Sequence, residues 1–193
     1  MHTISKVYDS YAQAERAVKG LEAAGVPSSD ISLVANKYVS EKYAHVEDAS
    51  ATASGATIGG AIGGGAGLLA GLGLMAIPGL GPVVAAGWFA STALGVVAGS
   101  ATGGIIGALV DAGTSQHDAH VYSEAVRRGG TLVTVRTDLP RANIERVLNE
   151  ARPIDPLARS DEYRKGGWKE FDPKAPAYRP DQTEIEKMRR PYI

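Results

Sequence analysis

The stretch "GATIGGAIGGGAGLLAG", residues 55–71, places a glycine at every fourth position of an apolar run. It lies in an interval between Asp48 and Asp111 that contains no charged residue and no histidine. In water each glycine costs a helix about 0.8 to 1 kcal/mol relative to alanine, so glycines at helical spacing need a compensating interaction. Close packing of helices supplies one, because small residues let two backbones approach. The pattern therefore predicts a glycine zipper.

Two helical arms are predicted within this interval, at about residues 53–76 and 83–110. The break between them is "AIPGLGP", which predicts a hairpin turn formed by Pro78, Gly79, Gly81 and Pro82. As helices, both arms would be long enough to cross the core of a bilayer. We expect such hairpins to associate into a homo-oligomer through two rows of small residues. The rows are Gly55, Gly59, Gly63, Gly67 and Gly71 in the first arm, and Gly87, Ser91, Gly95, Gly99, Gly103 and Gly107 in the second.

The solvent around this hairpin is open to two interpretations. An apolar hairpin of this size aggregates in water unless it is covered, which favours a lipid bilayer as partner, with both termini cytoplasmic. However, the flanking residues Glu47, Asp48 and Asp111 are acidic, which is not the pattern of cytoplasmic loops in membrane proteins. We expect membrane association, with a cytoplasmic particle or filament that buries its hairpins as the alternative.

The flanks of the interval, residues 1–48 and 113–152, predict the two halves of one α/β domain. In the first half, Ser10 and Gln13 form a capping box for a helix that lies between two strands. In the second half, a helix begins at Thr114 or Ser115, "TLVTVRT" is a strand, and Asp138 caps a last helix. The predicted fold is α+β: a two-layer, ferredoxin-like sandwich interrupted by the glycine-zipper hairpin at residues 49–112.

The last segment, residues 153–193, is rich in proline and charge and predicts an extended tail. Three of its aromatic residues are possible anchors, either to its own domain or to a neighbouring subunit. They are Tyr163, Trp168 and Phe171.

No residue pattern in the chain favours catalysis. The chain has no cysteine, which excludes thiol chemistry, and its net charge of -1 gives no reason to expect binding to nucleic acid. His117, Asp118 and His120 have the spacing of a weak metal site, but a solvated first helical turn explains them better. "GAGLLAG" lacks the preceding strand of a dinucleotide-binding loop. We expect no catalytic residue, metal or cofactor, and we identify no small-molecule substrate.

Three stretches resemble one bacterial family. They are "VYDSYAQAERAVKGLEAAGVPSSDISLVAN" at residues 7–36, "LLAGLGLMAIPGLGPVVAAGW" at 68–88 and "DAHVYSEAVRRGGTLVTVRTD" at 118–138. These stretches resemble the general stress protein 17M-like (YflT-type) family with an inserted glycine-zipper segment. The resemblance implies a bacterial origin and an α/β domain, and it implies no catalytic residues.

The expected function is therefore that of a non-enzymatic, stress-related structural protein that assembles with itself. Two other functions stay open. The serine and threonine residues of the interval would suit the polar face of a pore, and the α/β domain would suit a regulatory module that binds a small molecule.

Overall fold

The computed structural model describes residues 1–36, 73–77, 80–89, 104–175, 181 and 183. Most of the predicted zipper, the small residues from Gly55 to Gly71 and from Ser91 to Gly103, lies outside the described residues, as do Pro78 and Gly79 of the predicted turn. The described part contains both helices and antiparallel strands, which confirms the α+β class.

The described elements are strands and helices that lie before, within and after the glycine-rich interval. In chain order they are β1 (His2–Tyr8), α1 (Tyr11–Ala23), a 3-10 turn (Ser28–Asp30), β2 (Ile31–Asn36), β3 (Gly73–Ile77), β4 (Gly81–Ala86), α2 (Gly104–Asp111), α3 (Gln116–Arg127), β5 (Thr131–Thr137), α4 (Arg141–Glu150) and α5 (Pro156–Lys165).

The five strands form one sheet in the order β1-β5-β2-β4-β3, and all neighbouring strands are antiparallel. Strand β5 lies between β1 and β2, so Ser5 is opposite Thr134 and Leu33 is opposite Val133. The sequences before and after the glycine-rich interval therefore build a single sheet.

Helices cover both faces of this sheet, so the predicted two-layer arrangement is wrong and the domain has three layers. On one face, Ile4, Leu33 and Val133 pack against α1 and α4. On the other face, Val34 and Leu132 pack against α2, α3 and α5. The physical reason lies in β2 and β5, whose residues are almost all buried, as expected for strands covered on both sides.

Local signals explain how most helices begin. The side chain of Ser10 accepts a hydrogen bond from the backbone of Gln13, whose own side chain caps Ser10, so the predicted capping box is confirmed. The side chain of Ser115 caps α3 in the same way. Asp138 was predicted to cap α4 but does not, because the helix begins three residues later, after Pro140, and Asp138 pairs with the N-terminal amine of Met1.

The predicted helical hairpin is wrong at the residues around its turn. Residues 73–77 and 81–86 are strands that form a β-hairpin, closed by a hydrogen bond from the Leu80 N–H to the Ile77 carbonyl at 3.1 Å. The pairing of β4 with β2 buries Val83 and Ala85 in the core.

Gly87 does not belong to a helical row of small residues. It has a φ of +88°, and a Cβ at this position would overlap the Ile31 carbonyl oxygen and lie 2.8 Å from the Ser32 Cα. The Ser32 hydroxyl donates to the Ala86 carbonyl at 2.6 Å. Glycine is needed here because two backbones come too close for any side chain. Gly107, by contrast, lies within helix α2.

Within the described residues, no helix has both the length and the apolar character needed to cross a membrane.

We predict that Gly87→Ala destabilises the domain more than Gly113→Ala does. Both glycines have a positive φ, but a Cβ at Gly113 meets open space. Gly113→Ala should therefore show the conformational cost alone, about 1 to 2 kcal/mol. Gly87→Ala adds the clash with Ile31 and Ser32. Urea denaturation of both variants measures the difference, and equal free energies of unfolding would contradict this role of Gly87.

Candidate functional site

Trp88 and Phe89, which follow β4, hold the glycine-rich interval to the rest of the domain. After β4, the indole Nε1 of Trp88 donates to the Asp30 carbonyl at 3.3 Å, and the Arg136 guanidinium lies 5.1 Å from the centre of the indole ring. Arg136 also donates to the Asp30 carboxylate at 2.7 Å. Phe89 is fully buried and meets Trp88 edge to face. These contacts fix the end of β4 to the start of β2 and the end of β5.

The interval re-enters the described structure at α2, which is also packed into the core. Ile105, Ala108 and Leu109 are buried, and α2 contacts α3. At the other end, Asn36 closes β2 and donates from its side chain to the Arg127 carbonyl at 3.3 Å. Residues 37–72 and 90–103 therefore both begin and end in one domain.

A buried carboxylate lies where α3 ends. Glu124 is 1% exposed and accepts hydrogen bonds from Arg127 at 2.6 and 2.9 Å and from Arg128 at 2.6 Å. Burial raises the pKa of the Glu124 carboxyl, but the hydrogen bonds and charges of the two arginines outweigh this effect, so the pKa lies below its ordinary value. The carboxylate is paired on both oxygens, which is typical of a structural ion cluster.

This cluster leads directly to the C-terminal segment. The Arg128 guanidinium lies 4.4 Å from the centre of the Tyr163 ring on α5, and Trp168 meets the same ring edge to face at 5.6 Å. Arg159 of α5 donates to both carboxylate oxygens of Asp9, at 2.7 and 2.8 Å. Together these contacts hold α5 against the end of α3 and the end of β1.

The C-terminal segment is thus folded at residues 153–175, and the predicted extended tail is wrong for this part. Asp155 caps α5, a helix that was not predicted from the sequence. Tyr163 and Phe171 are buried and Trp168 is half-buried, all three against the same core cluster. The segment is folded because a few aromatic side chains are buried, although its overall composition is rich in proline and charge.

One histidine of α3, His120, takes part in this docking. The Nδ1 atom of His120 accepts a hydrogen bond from the Phe171 N–H at 3.2 Å. The Asp118 N–H donates to the Ser115 hydroxyl as part of the helix cap. In the described ranges, no group of three His, Cys, Asp or Glu side chains is placed to hold a metal ion.

A polar cleft of about 130 Å³ follows the outer edge of β1. The carbonyl of Val7 accepts a hydrogen bond from the Ile154 N–H at 2.8 Å, so the backbone groups of Val7 point away from β5. Because this direction alternates along a strand, the N–H and C=O groups of Thr3 and Ser5 also point outward, into the cleft. Charges of both signs line it, from Lys6, Asp118, Arg141 and Glu145.

Neither the buried carboxylate nor the β1 edge was identified from the sequence. The signal for the first was present, since Glu124 lies on the apolar face of α3 with arginines three and four residues later. The edge has no comparable signal, because the order of strands in the sheet decides which strand is outermost.

Comparison with protein-family models, with curated proteins and with solved structures gave no match to this chain. The function is therefore inferred from the residues of the chain itself.

We predict that Glu124→Gln lowers the free energy of unfolding by about 1.5 to 3 kcal/mol, the value of hydrogen bonds to a charged group. The matched control is Glu15→Gln, which removes the exposed pair with Lys19 and should cost less than about 0.5 kcal/mol.

The same carboxylate predicts a pH dependence. Because the pKa of Glu124 is lowered in the folded state, its contribution is complete above the ordinary carboxyl pKa and is lost as the pH falls through the folded-state pKa. Denaturation over a series of acidic pH values should show a smaller loss of stability in Glu124→Gln than in the unchanged protein. Parallel curves would contradict the lowered pKa.

We also predict that Phe171→Ala destabilises the domain by about 3 to 5 kcal/mol, because Phe171 is 3% exposed and its loss leaves a cavity. Leu157→Ala is the control in the same segment, since Leu157 is 69% exposed and should change stability by less than about 0.5 kcal/mol. Thermal melting of both variants tests whether residues 153–175 belong to the cooperative unit.

Proposed function

We propose that this chain is a non-enzymatic structural protein that assembles with itself through its glycine rows, with the three-layer domain as a rigid support. The rows of this proposal are Gly55 to Gly71 and Ser91 to Gly103. The resemblance to the general stress protein 17M-like family adds a role under stress to the proposal. Gly87 is not part of these rows, because it lies against Ile31 and Ser32.

The observation that carries the proposal is the anchoring of both glycine-rich segments at both ends. Among the residues that border them, Asn36 and Gly73 belong to the sheet, Gly104 begins α2, and Phe89 is buried in the core beneath the same face of the sheet. A segment with fixed ends has less conformational entropy to lose when it becomes ordered, which lowers the cost of packing glycine-rich chains together. The fixed ends also hold several rows close together on each copy, which favours multivalent association.

The same anchoring bears on the proposed contact with a lipid bilayer. A segment that leaves the sheet and returns to it must cross a membrane twice, which requires about 40 apolar residues in two helices. The uncharged part of the first segment, residues 49–72, is long enough for one crossing, and residues 90–103 would reach only about 21 Å as a helix. This favours assembly between copies, with any lipid contact at the bilayer surface.

We further propose that the framework is an interrupted ferredoxin-like unit. Strands β1 and β2 flank the antiparallel strand β5, and α1 and α4 lie together on one face. This is the order βαββα of a split β-α-β unit and its continuation. The glycine-rich interval, β3, β4, α2 and α3 then occupy the connection between the second and third strands of that unit.

The cleft beside β1 gives no support to the small-molecule alternative. The cleft beside β1 has a volume of about 130 Å³, whereas ligand pockets have about 300 to 1,000 Å³. We therefore place self-assembly first.

We predict that Gly63→Leu in the full-length protein reduces the size of the assembly, because the larger side chain keeps neighbouring backbones apart. The control is Ala61→Leu, which adds similar bulk two residues away, on the opposite side of a helix. Light scattering after size-exclusion chromatography measures the molar mass of each. An assembly of unchanged size in Gly63→Leu would contradict the proposal.

Fractionation of the expressed protein distinguishes an assembly in the aqueous fraction from one in a membrane. A large particle in the aqueous fraction is expected if the glycine rows pack against one another. Retention in membranes after a carbonate wash would instead place the rows in lipid and overturn the preference for assembly between copies.

A further inference from the structure

In the described part of the chain, the outer edge of β1 is only partly covered. The Ile154 N–H donates a hydrogen bond to the Val7 carbonyl, and helix α5 begins two residues later, at Pro156. Within the described residues, no backbone group bonds the outward N–H and C=O groups of Thr3 and Ser5. We propose that β1 pairs with β1 of a second copy of this chain along this edge, so that two sheets become one.

The fold places this edge where a strand is missing. In the complete ferredoxin-like order βαββαβ, the strand after the second helix pairs with the outer edge of the first strand. Here the residues after α4 make a single hydrogen bond to β1, at Val7, and no strand follows α4 in the part of the chain that the structure describes. The argument from the missing strand rests on the proposed ferredoxin-like framework. The outward backbone groups of Thr3 and Ser5 are observed independently of that framework.

The free groups select one register. Two antiparallel copies of β1 related by a two-fold axis at Ile4 place Thr3 opposite Ser5 of the second copy, and Ser5 opposite its Thr3. All outward groups of both residues are then paired. A register shifted to a centre at Ser5 would need Val7, which Ile154 already occupies. The available edge therefore favours a second copy of the same strand in one alignment.

This register also sets which side chains meet across the pair. Lys6 comes opposite His2 of the second copy, on the face that carries Ile4. On the same side of the cleft, Arg141 and Glu145 lie one helical turn apart on α4. A two-fold axis relates two such helices in antiparallel directions, an arrangement in which Arg141 of one copy and Glu145 of the other can lie on the same side of the pair.

A disulfide between two copies tests the register directly, since the chain has no cysteine of its own. In the full-length double variant His2→Cys/Lys6→Cys, the two new thiols of different copies face each other at the spacing of a strand pair, close to that of a disulfide. We expect a covalent dimer after mild oxidation, with a peptide linking positions 2 and 6 in mass spectrometry. The single variants His2→Cys and Lys6→Cys should give no such dimer.

A second comparison keeps the proposal testable without cysteine. Thr3→Pro removes an outward N–H and leaves the hydrogen bonds to β5, so the domain should still fold, whereas Thr3→Ala keeps that N–H. Both are made in a Gly63→Leu chain to weaken association through the glycine rows. We expect Thr3→Pro to have half the molar mass of Thr3→Ala by light scattering, with equal circular dichroism.

Each negative result has its own meaning. A folded double-cysteine variant without the covalent dimer would overturn the pairing of β1, whatever the size of the assembly. Equal masses of Thr3→Pro and Thr3→Ala would do the same. A monomer that binds an extended peptide of another protein along β1 would also overturn it. An assembly insensitive to Gly63→Leu contradicts the glycine rows alone, because the covalent dimer is read independently.

Discussion

The hydrogen bonding of β5 to two strands at once is the constraint on which the rest of the structure depends. On one side β5 pairs with β1 from Thr131 to Thr137, and on the other it pairs with β2 from Thr131 to Val135. Its residues Leu132 and Val133 contribute to the core on opposite faces of the sheet. Without β5, the strands before the glycine-rich interval would have no contact in the sheet with each other, and the helices on both faces would lose their common surface.

The charged residues of the domain connect its outer parts to this central sheet. Arg136, at the end of β5, joins Asp30 and Trp88, and so couples the β-hairpin of β3 and β4 to β2 and β5. The ion cluster of Glu124 joins the end of α3 to Tyr163 through Arg128. In both places an arginine makes an ion pair and stacks on an aromatic ring, a combination that the planar guanidinium allows. The ion pairs thus lie at the junctions between segments that are far apart in sequence.

The sequence predicted the elements whose causes are local. The capping box at Ser10 and the strand "TLVTVRT" depend on neighbouring residues, and the structure confirms them. The strands at residues 73–77 and 81–86 could not be read in this way, because a short run of small apolar residues suits a buried helix and a buried strand equally. The pairing of β4 with β2 decides that these residues form strands, and the two partners are far apart in sequence. Helix α5 was not predicted and the docking of its aromatic residues was left open for the same reason, since Asp9, Arg128 and the core that receives Phe171 come from earlier parts of the chain.

The position of β5 also sets the order of events during synthesis of the chain. β1 and β2 leave the ribosome long before Thr131, and their shared partner is the last strand to appear. Contacts between such distant residues form slowly, and an unpaired strand edge is prone to wrong contacts in the meantime. The apolar, glycine-rich interval is therefore synthesised while the sheet that anchors it is still incomplete, and the edges of β1 and β2 stay unpaired until β5 joins them.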